Sequence, residues 1–120
     1  MPVACEPLLR HVLQDERLTG GLSDIEARML IDWVTDWTQL LAQAARTESE
    51  AWSCVQRLCR RARAIARFVQ LWSQPTSRAA AAQLAASERF RWPLPSRPLD
   101  PPDLMHHILT WENQYPDTLD

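Results

Sequence analysis

An all-α fold, a compact five-helix bundle built on a long antiparallel helical hairpin, is what this sequence predicts, and three observations carry the prediction. The chain has only two glycines, and none of its nine prolines falls between Leu8 and Gln74, while Ala, Leu and Arg abound; that composition favours helix over sheet. Apolar residues recur at helical spacing through two long stretches, 23–45 and 48–73, as expected of helices that bury one stripe. Start and stop signals bracket these stretches: Ser23 with Glu26, Thr47 with Glu50, and Pro75. A chain of 120 residues is one domain by length, and a domain of that size removes roughly two-thirds of its unfolded surface from water, enough for a core without disulfides or metal.

Taken in order, the first helix spans about 7–18. Pro7 suits a first helical position, Leu8, Leu9, Val12 and Leu13 form its stripe, and Thr19-Gly20-Gly21 stops it. The second, 23–45, opens on a capping box of Ser23 and Glu26 and places Ala27, Leu30, Trp33, Val34, Trp37, Leu40, Leu41 and Ala44 on one arc. A turn over Ala45–Thr47, with a second capping box of Thr47 and Glu50, reverses the chain into the third helix, 48–73. This helix points Trp52, Val55, Leu58, Cys59, Ala62, Ile65, Ala66, Val69 and Trp72 at its hairpin partner, while Ala64, Phe68 and Leu71 make its second half apolar on the other side as well. A helix with two apolar faces must be covered twice.

Thr76 or Ser77 caps an alanine-rich fourth helix over 77–89. The segment 90–100 then holds too many prolines for helix and no glycine, so it is predicted to run as a stiff extended strap, with Phe90, Trp92 and Leu94 as cover for Phe68 and Leu71. Asp100 caps a fifth helix, 101–113, with Pro101 at its first position, Leu104, Ile108 and Trp111 on its stripe, and an end before Pro116.

Charge is segregated along the chain. Six arginines and no acidic residue lie between Ala51 and Ser87, whereas the flanking segments are acidic and bring the formal total to -2. On the third helix Arg57, Arg60, Arg61, Arg63 and Arg67 occupy about 160° of the circumference. Such a face either pairs internally, with Asp32, Asp36, Glu48 and Glu50 as the expected partners, or serves a partner molecule. The acidic total and the lack of lysine speak against nucleic acid. The absence of lysine beside thirteen basic residues reads as a bias of genomic base composition.

Other candidate chemistry is sparse. Leu22 to Leu30, LSDIEARML, resembles the opening of a bacterial helix-turn-helix of the response-regulator output type. The resemblance covers nine residues; the helical pattern then runs unbroken from Asp24 to Ala44 where such a motif needs a turn, so it implies a shared helix cap rather than DNA reading. Asp103 and His107 are one helical turn apart and are the weak metal candidates, with His106 pointing elsewhere. Asp32 and Asp36 share a polar face and lack the cleft that acid–base chemistry needs. Gly20-Gly21 precedes a helix start without a following Gly-Lys-Ser/Thr, and so reads as a helix stop rather than an anion site.

Cys5, Cys54 and Cys59 are an odd set without metal spacing, expected as reduced, largely buried residues of a cytoplasmic protein. Val3-Ala4-Cys5 lacks the basic and apolar residues that a lipoprotein signal needs before its cysteine, and no apolar stretch approaches membrane-spanning length. The functional expectation is a protein-interaction or assembly module without catalytic activity or cofactor. Its candidate binding residues are Arg57, Arg60, Arg61, Arg63, Arg67, Phe68 and Leu71; the partner is an unidentified protein, with a homodimer left open. The alternatives are a nucleic-acid-associated factor using the arginine face and a small metal-dependent enzyme or sensor.

Overall fold

The computed structural model describes residues 3–88 and 90–114. Among them are five α-helices and no strand: α1 (Cys5–Leu13), α2 (Asp24–Ala44), α3 (Glu48–Trp72), α4 (Arg78–Ala85) and α5 (Pro101–Gln114), with 3-10 turns at Glu16–Leu18 and Pro75–Ser77. The all-α bundle and its long hairpin are as the sequence predicts. No helix among the described residues is long and apolar enough to cross a membrane.

α3 is the central element, its 25 residues giving a rod of about 37 Å. Every other helix packs on it, α2 and α4 most extensively. Val55, Leu58, Ala62, Ile65, Ala66 and Val69 are buried along its predicted stripe. Its second apolar side is covered too: Phe68 is fully buried, with Trp92 of the strap edge-on at 5.5 Å and Trp72 stacked at 5.8 Å. Phe90 stacks on Trp92 at 4.5 Å, across a backbone that turns through a left-handed Arg91 (φ 49°). Leu94 does not join this cover and stays exposed, while Leu99 packs against the core.

Several element details differ from the sequence reading, each for a local reason. α1 begins at Cys5, which places Pro7 deeper in a first turn whose amides lack intrahelical partners in any case. It ends at Leu13, because Asp15 accepts a hydrogen bond from the Arg17 amide and starts the 3-10 turn; Leu13 is consequently exposed. Gly21 has φ +84°, and a β-carbon there would meet the Gln70 side chain at 2.9 Å. The Gln70 amide donates to the Gly20 carbonyl, so α1 has already ended before the two glycines, and Gly21 leaves room for the α3 side chain that ties this turn down.

α2 is rotated relative to the predicted arc. Ser23 stands at the N-cap without a side-chain cap bond, and Glu26 is buried instead of reaching back to it, so the first capping box does not form. Thr38 and Ala42 take inward positions while Leu40 (54% exposed) and Ala44 face out. Thr38 can be buried because its hydroxyl donates to the Val34 carbonyl at 2.7 Å.

The second box forms in altered shape: Thr47 Oγ1 accepts from the Glu50 amide at 3.1 Å, but Glu50 accepts from the amide of Arg46, one residue before the cap. α4 is shorter than predicted, because the chain turns at Ala86–Glu88 and the Trp92 amide returns to the Ala85 carbonyl at 2.9 Å. Ser77 occupies the α4 N-cap position without a side-chain cap bond, and Arg89, the predicted end, lies outside the described residues. α5 opens on Pro101 as predicted, the Asp100 carbonyl accepting from the Leu104 amide; Pro116 lies outside the described residues.

Candidate functional site

A helix advances about 100° per residue, so the five arginines of α3 cannot share one environment. Arg61 points toward the strap and α5, and it is buried. Its Nε donates to Glu112 Oε2 at 2.9 Å and its Nη2 to Glu112 Oε1 at 2.6 Å, while the Trp92 indole also donates to Glu112 and the Phe90 ring lies 4.8 Å from the guanidinium carbon. Glu112 sits on the inner side of α5, one turn beyond the buried Ile108 and Leu109. Arg61 is therefore an internal tie and leaves the set of surface candidates. Phe68 leaves it for the same reason, being fully covered, and Leu71 is half-buried against the core.

The remaining arginines line the outer face. Arg60 and Arg67 are exposed, and Arg57 and Arg63 flank them half-buried. Arg57 Nη2 lies 3.3 Å from Cys54 Sγ, and its Nε is buried without a hydrogen-bond partner among the described residues. The acidic partners expected from the sequence are not used. Among the described residues none of Asp32, Asp36, Glu48 or Glu50 pairs with an arginine side chain of α3; Arg63 instead reaches Asp15 at 3.5 Å.

Asp15 organises a cleft between the end of α1, the following 3-10 turn and α3. Its Oδ1 accepts from both the amide (3.0 Å) and the Nε (3.2 Å) of Arg17. Burial alone would push the Asp15 carboxyl up, but the Arg17 amide, side chain and charge, together with Arg63, outweigh it and hold the group below the usual aspartate value. The cleft has a volume of about 740 Å³, and His11, Arg17, Gln56, Arg60 and Arg63 stand around it with Cys59 on its floor. His11 in turn lies edge-on to Trp52 at 5.3 Å.

The sequence signalled Arg60 and Arg63 but not Asp15, Arg17 or His11. All three lie within 7–18, which the sequence reads as a single helix, whereas α1 ends at Leu13 and Asp15 and Arg17 belong to the turn that follows.

Cys59 is buried, and burial pushes its thiol up; Arg63 and Arg17 pull it back and Asp15 adds to the rise, so the net direction is away from thiolate. Cys5 is likewise raised by burial, and all three cysteines are free thiols. Cys5 and Cys59, with thiols raised by burial, are poor nucleophiles.

Of the metal candidates, His107 is engaged by the strap. His107 Nε2 lies at 3.0 Å from the Pro93 carbonyl of the strap, Asp103 and His106 are exposed, and no group of three or more ligand-type side chains gathers among the described residues. Asp32 and Asp36 are both exposed on the outer side of α2. Compared with known proteins, the chain matches no family model, and no curated protein or solved structure is significantly similar to it.

Proposed function

We propose that this domain binds a protein partner through the outer face of α3 and is an interaction or assembly module rather than an enzyme. The observation that carries this reading is the position of Arg60 and Arg67: both are exposed at the centre of that face, and neither has an ion-pair partner among the described residues. No acidic residue follows Glu50 on the helix. A partner with acidic side chains complements such a face, and charge complementarity of this kind sets orientation and encounter rate.

Nucleic acid is the weaker reading, because Arg61 is withdrawn into the core and Arg63 is shared with Asp15. The remaining cations fall short of the six to ten phosphate contacts that give the roughly 10³- to 10⁵-fold salt response of strong binders. The odd set of three cysteines supports the further proposal of a reducing, cytoplasmic setting.

The test is recovery of a partner from the native host with wild-type protein and with the Arg60→Glu/Arg67→Glu double variant. The partner is expected to be lost in the double variant, and purified protein is expected to retain no RNA or DNA at about 0.15 M salt, close to physiological ionic strength. Nucleic acid retained there by wild type and released by the double variant would replace the protein-partner reading with the nucleic-acid one.

A further inference from the structure

If the outer face of α3 meets an acidic partner, as proposed above, the partner's charges need a place to dock. We infer that the cleft beside Asp15 is the anchoring pocket, taking a carboxylate from an acidic segment of the partner; the inference rests on the protein-partner reading above.

Three features of the cleft support this assignment. First, its charge is asymmetric. Three guanidiniums, those of Arg17, Arg60 and Arg63, face two carboxylates, those of Asp15 and Glu16, and Asp15 is already engaged by Arg17 and Arg63. The surplus is positive and centres on Arg60, whose fork of donors matches a carboxylate in bidentate geometry.

Second, two of the three arginines are held in place before any ligand arrives, with Arg60 between them exposed. Asp15 has a side chain only 15% exposed, and it fixes Arg17 at 3.2 Å and Arg63 at 3.5 Å from two different elements. Rotamer freedom lost in advance is not lost again on binding, which is how a preorganised site gains affinity. Asp15 is thus a positioning residue, and the arginines make the contacts.

Third, the walls fit charged side chains better than a free organic molecule. Small-molecule pockets are mostly apolar and enclose their ligand. Here Cys59 is the one apolar side chain on the lining, and the remaining residues are charged or carry a side-chain amide or imidazole. A volume of about 740 Å³ accommodates several side chains presented on an extended chain. Carboxylates and phosphoryl groups share the oxyanion chemistry, so free phosphate is the competing source for the same donors.

The experiment is a titration of isotopically labelled full-length protein, followed by NMR, with a ten-residue Glu-Ser peptide, its Gln-Ser counterpart, and inorganic phosphate. The acidic peptide is expected to move the signals of His11, Gln56 and the Trp52 indole, which touches His11, whereas the neutral peptide leaves them in place. Arg63→Gln and Arg60→Gln each weaken the response by about tenfold, the lower end for one charge-assisted hydrogen bond. Arg67→Gln, two turns beyond Arg60 and outside the cleft, changes it by less than about twofold.

One control and the named outcomes keep the titration decisive. The Arg60 variant alters an exposed side chain and is expected to keep the wild-type spectrum outside the cleft, which separates its loss of response from unfolding. A response to phosphate with none to the acidic peptide would overturn the peptide assignment in favour of a free-phosphate site. Peptide binding that moves only signals near Arg67 and Leu71, or is equally weakened by Arg67→Gln, would remove the cleft while leaving the α3 face as the partner surface. No response to any probe at millimolar concentration would also overturn the cleft. Failure of the broader reading shows separately, as a partner recovered equally well by the double variant.

Discussion

The two flanks of α3 hold their arginines in different ways. Toward the strap, Arg61 is 6% exposed and gives two hydrogen bonds to a Glu112 side chain that is itself 1% exposed. Toward the 3-10 turn, Arg63 shares Asp15 with a solvent-facing Arg17, and Arg60 stands in the open. Arg60 and Arg61 are adjacent in the chain, yet about 100° of helical rotation sends one to an interaction surface and the other into the core. A run of like charges is therefore not one surface, and the two sides should respond to mutation on different scales.

The largest effect is expected on the buried side. Replacing one member of a buried ion pair strands the other, a change that typically costs about 3 to 5 kcal/mol. Glu112→Ala should fall in that range, because it removes the acceptor of both Arg61 and the Trp92 indole. Urea denaturation measures it. The Arg61→Leu/Glu112→Leu double replacement should lose less than Glu112→Ala alone, since no charge is then left buried. A double variant weaker than the single would show that the pair contributes net stability and not merely a fixed geometry.

Trp92→Phe is the next step down. It keeps most of the ring that covers Phe68 but removes the donor to Glu112, which retains Arg61. A hydrogen bond to a charged group is worth about 1.5 to 3 kcal/mol, so the midpoint shift should be clear yet smaller than for Glu112→Ala. Equal losses would mean that the indole, not the guanidinium, is the main support of the carboxylate.

Parts of this fold are written locally in the sequence and parts are not. The α3 stripe, the hairpin and the second cover by Trp92 were legible because apolar periodicity is a local signal, repeated many times along a 25-residue helix. Glu112 was not, because its partner Arg61 lies 51 positions away and nothing local distinguishes a buried glutamate from an exposed one. The rotation of α2 was missed because Leu40 and Thr38 compete for the inward position, and polarity alone favours the leucine. Packing chose the threonine, whose hydroxyl is satisfied by its own helix. The cleft was half legible: Arg60 and Arg63 stood out as charges, whereas Asp15 and Arg17 were hidden in a segment assigned to helix.

On the cleft side, Asp15→Asn should cost no more than about 1 kcal/mol, the range of partly exposed ion pairs. Asparagine keeps an oxygen to accept the Arg17 amide, so the difference isolates charge. Because the folded carboxyl lies below its ordinary value, the ionised form favours folding. That contribution is complete above the unfolded value of about 3.9 and is lost as pH falls through the lowered native value. The stability gap between wild type and Asp15→Asn should therefore be flat near neutrality and close in acid. A gap that widened below about pH 4 would contradict the depressed carboxyl.

The smallest effect on stability is expected at Arg60, and its smallness is what the comparison most needs. Exposed substitutions away from caps, cores and buried pairs usually stay within about 0.5 kcal/mol. Arg60→Glu places a carboxylate three residues from both Arg57 and Arg63 on the same helix, and such i,i+3 attractions contribute about 0.2 to 0.5 kcal/mol each. They offset the added repulsion from Asp15 and Glu16 across the cleft. The denaturation midpoint should barely move, while capture of an acidic partner is lost because the charge at the centre of the face has been reversed. If Arg60→Glu instead destabilised the fold by more than about 1 kcal/mol, twice the usual surface range, Arg60 would be a structural residue like its neighbour Arg61. The two flanks of α3 would then differ in exposure alone, and the case for a partner surface at Arg60 would fall with the distinction.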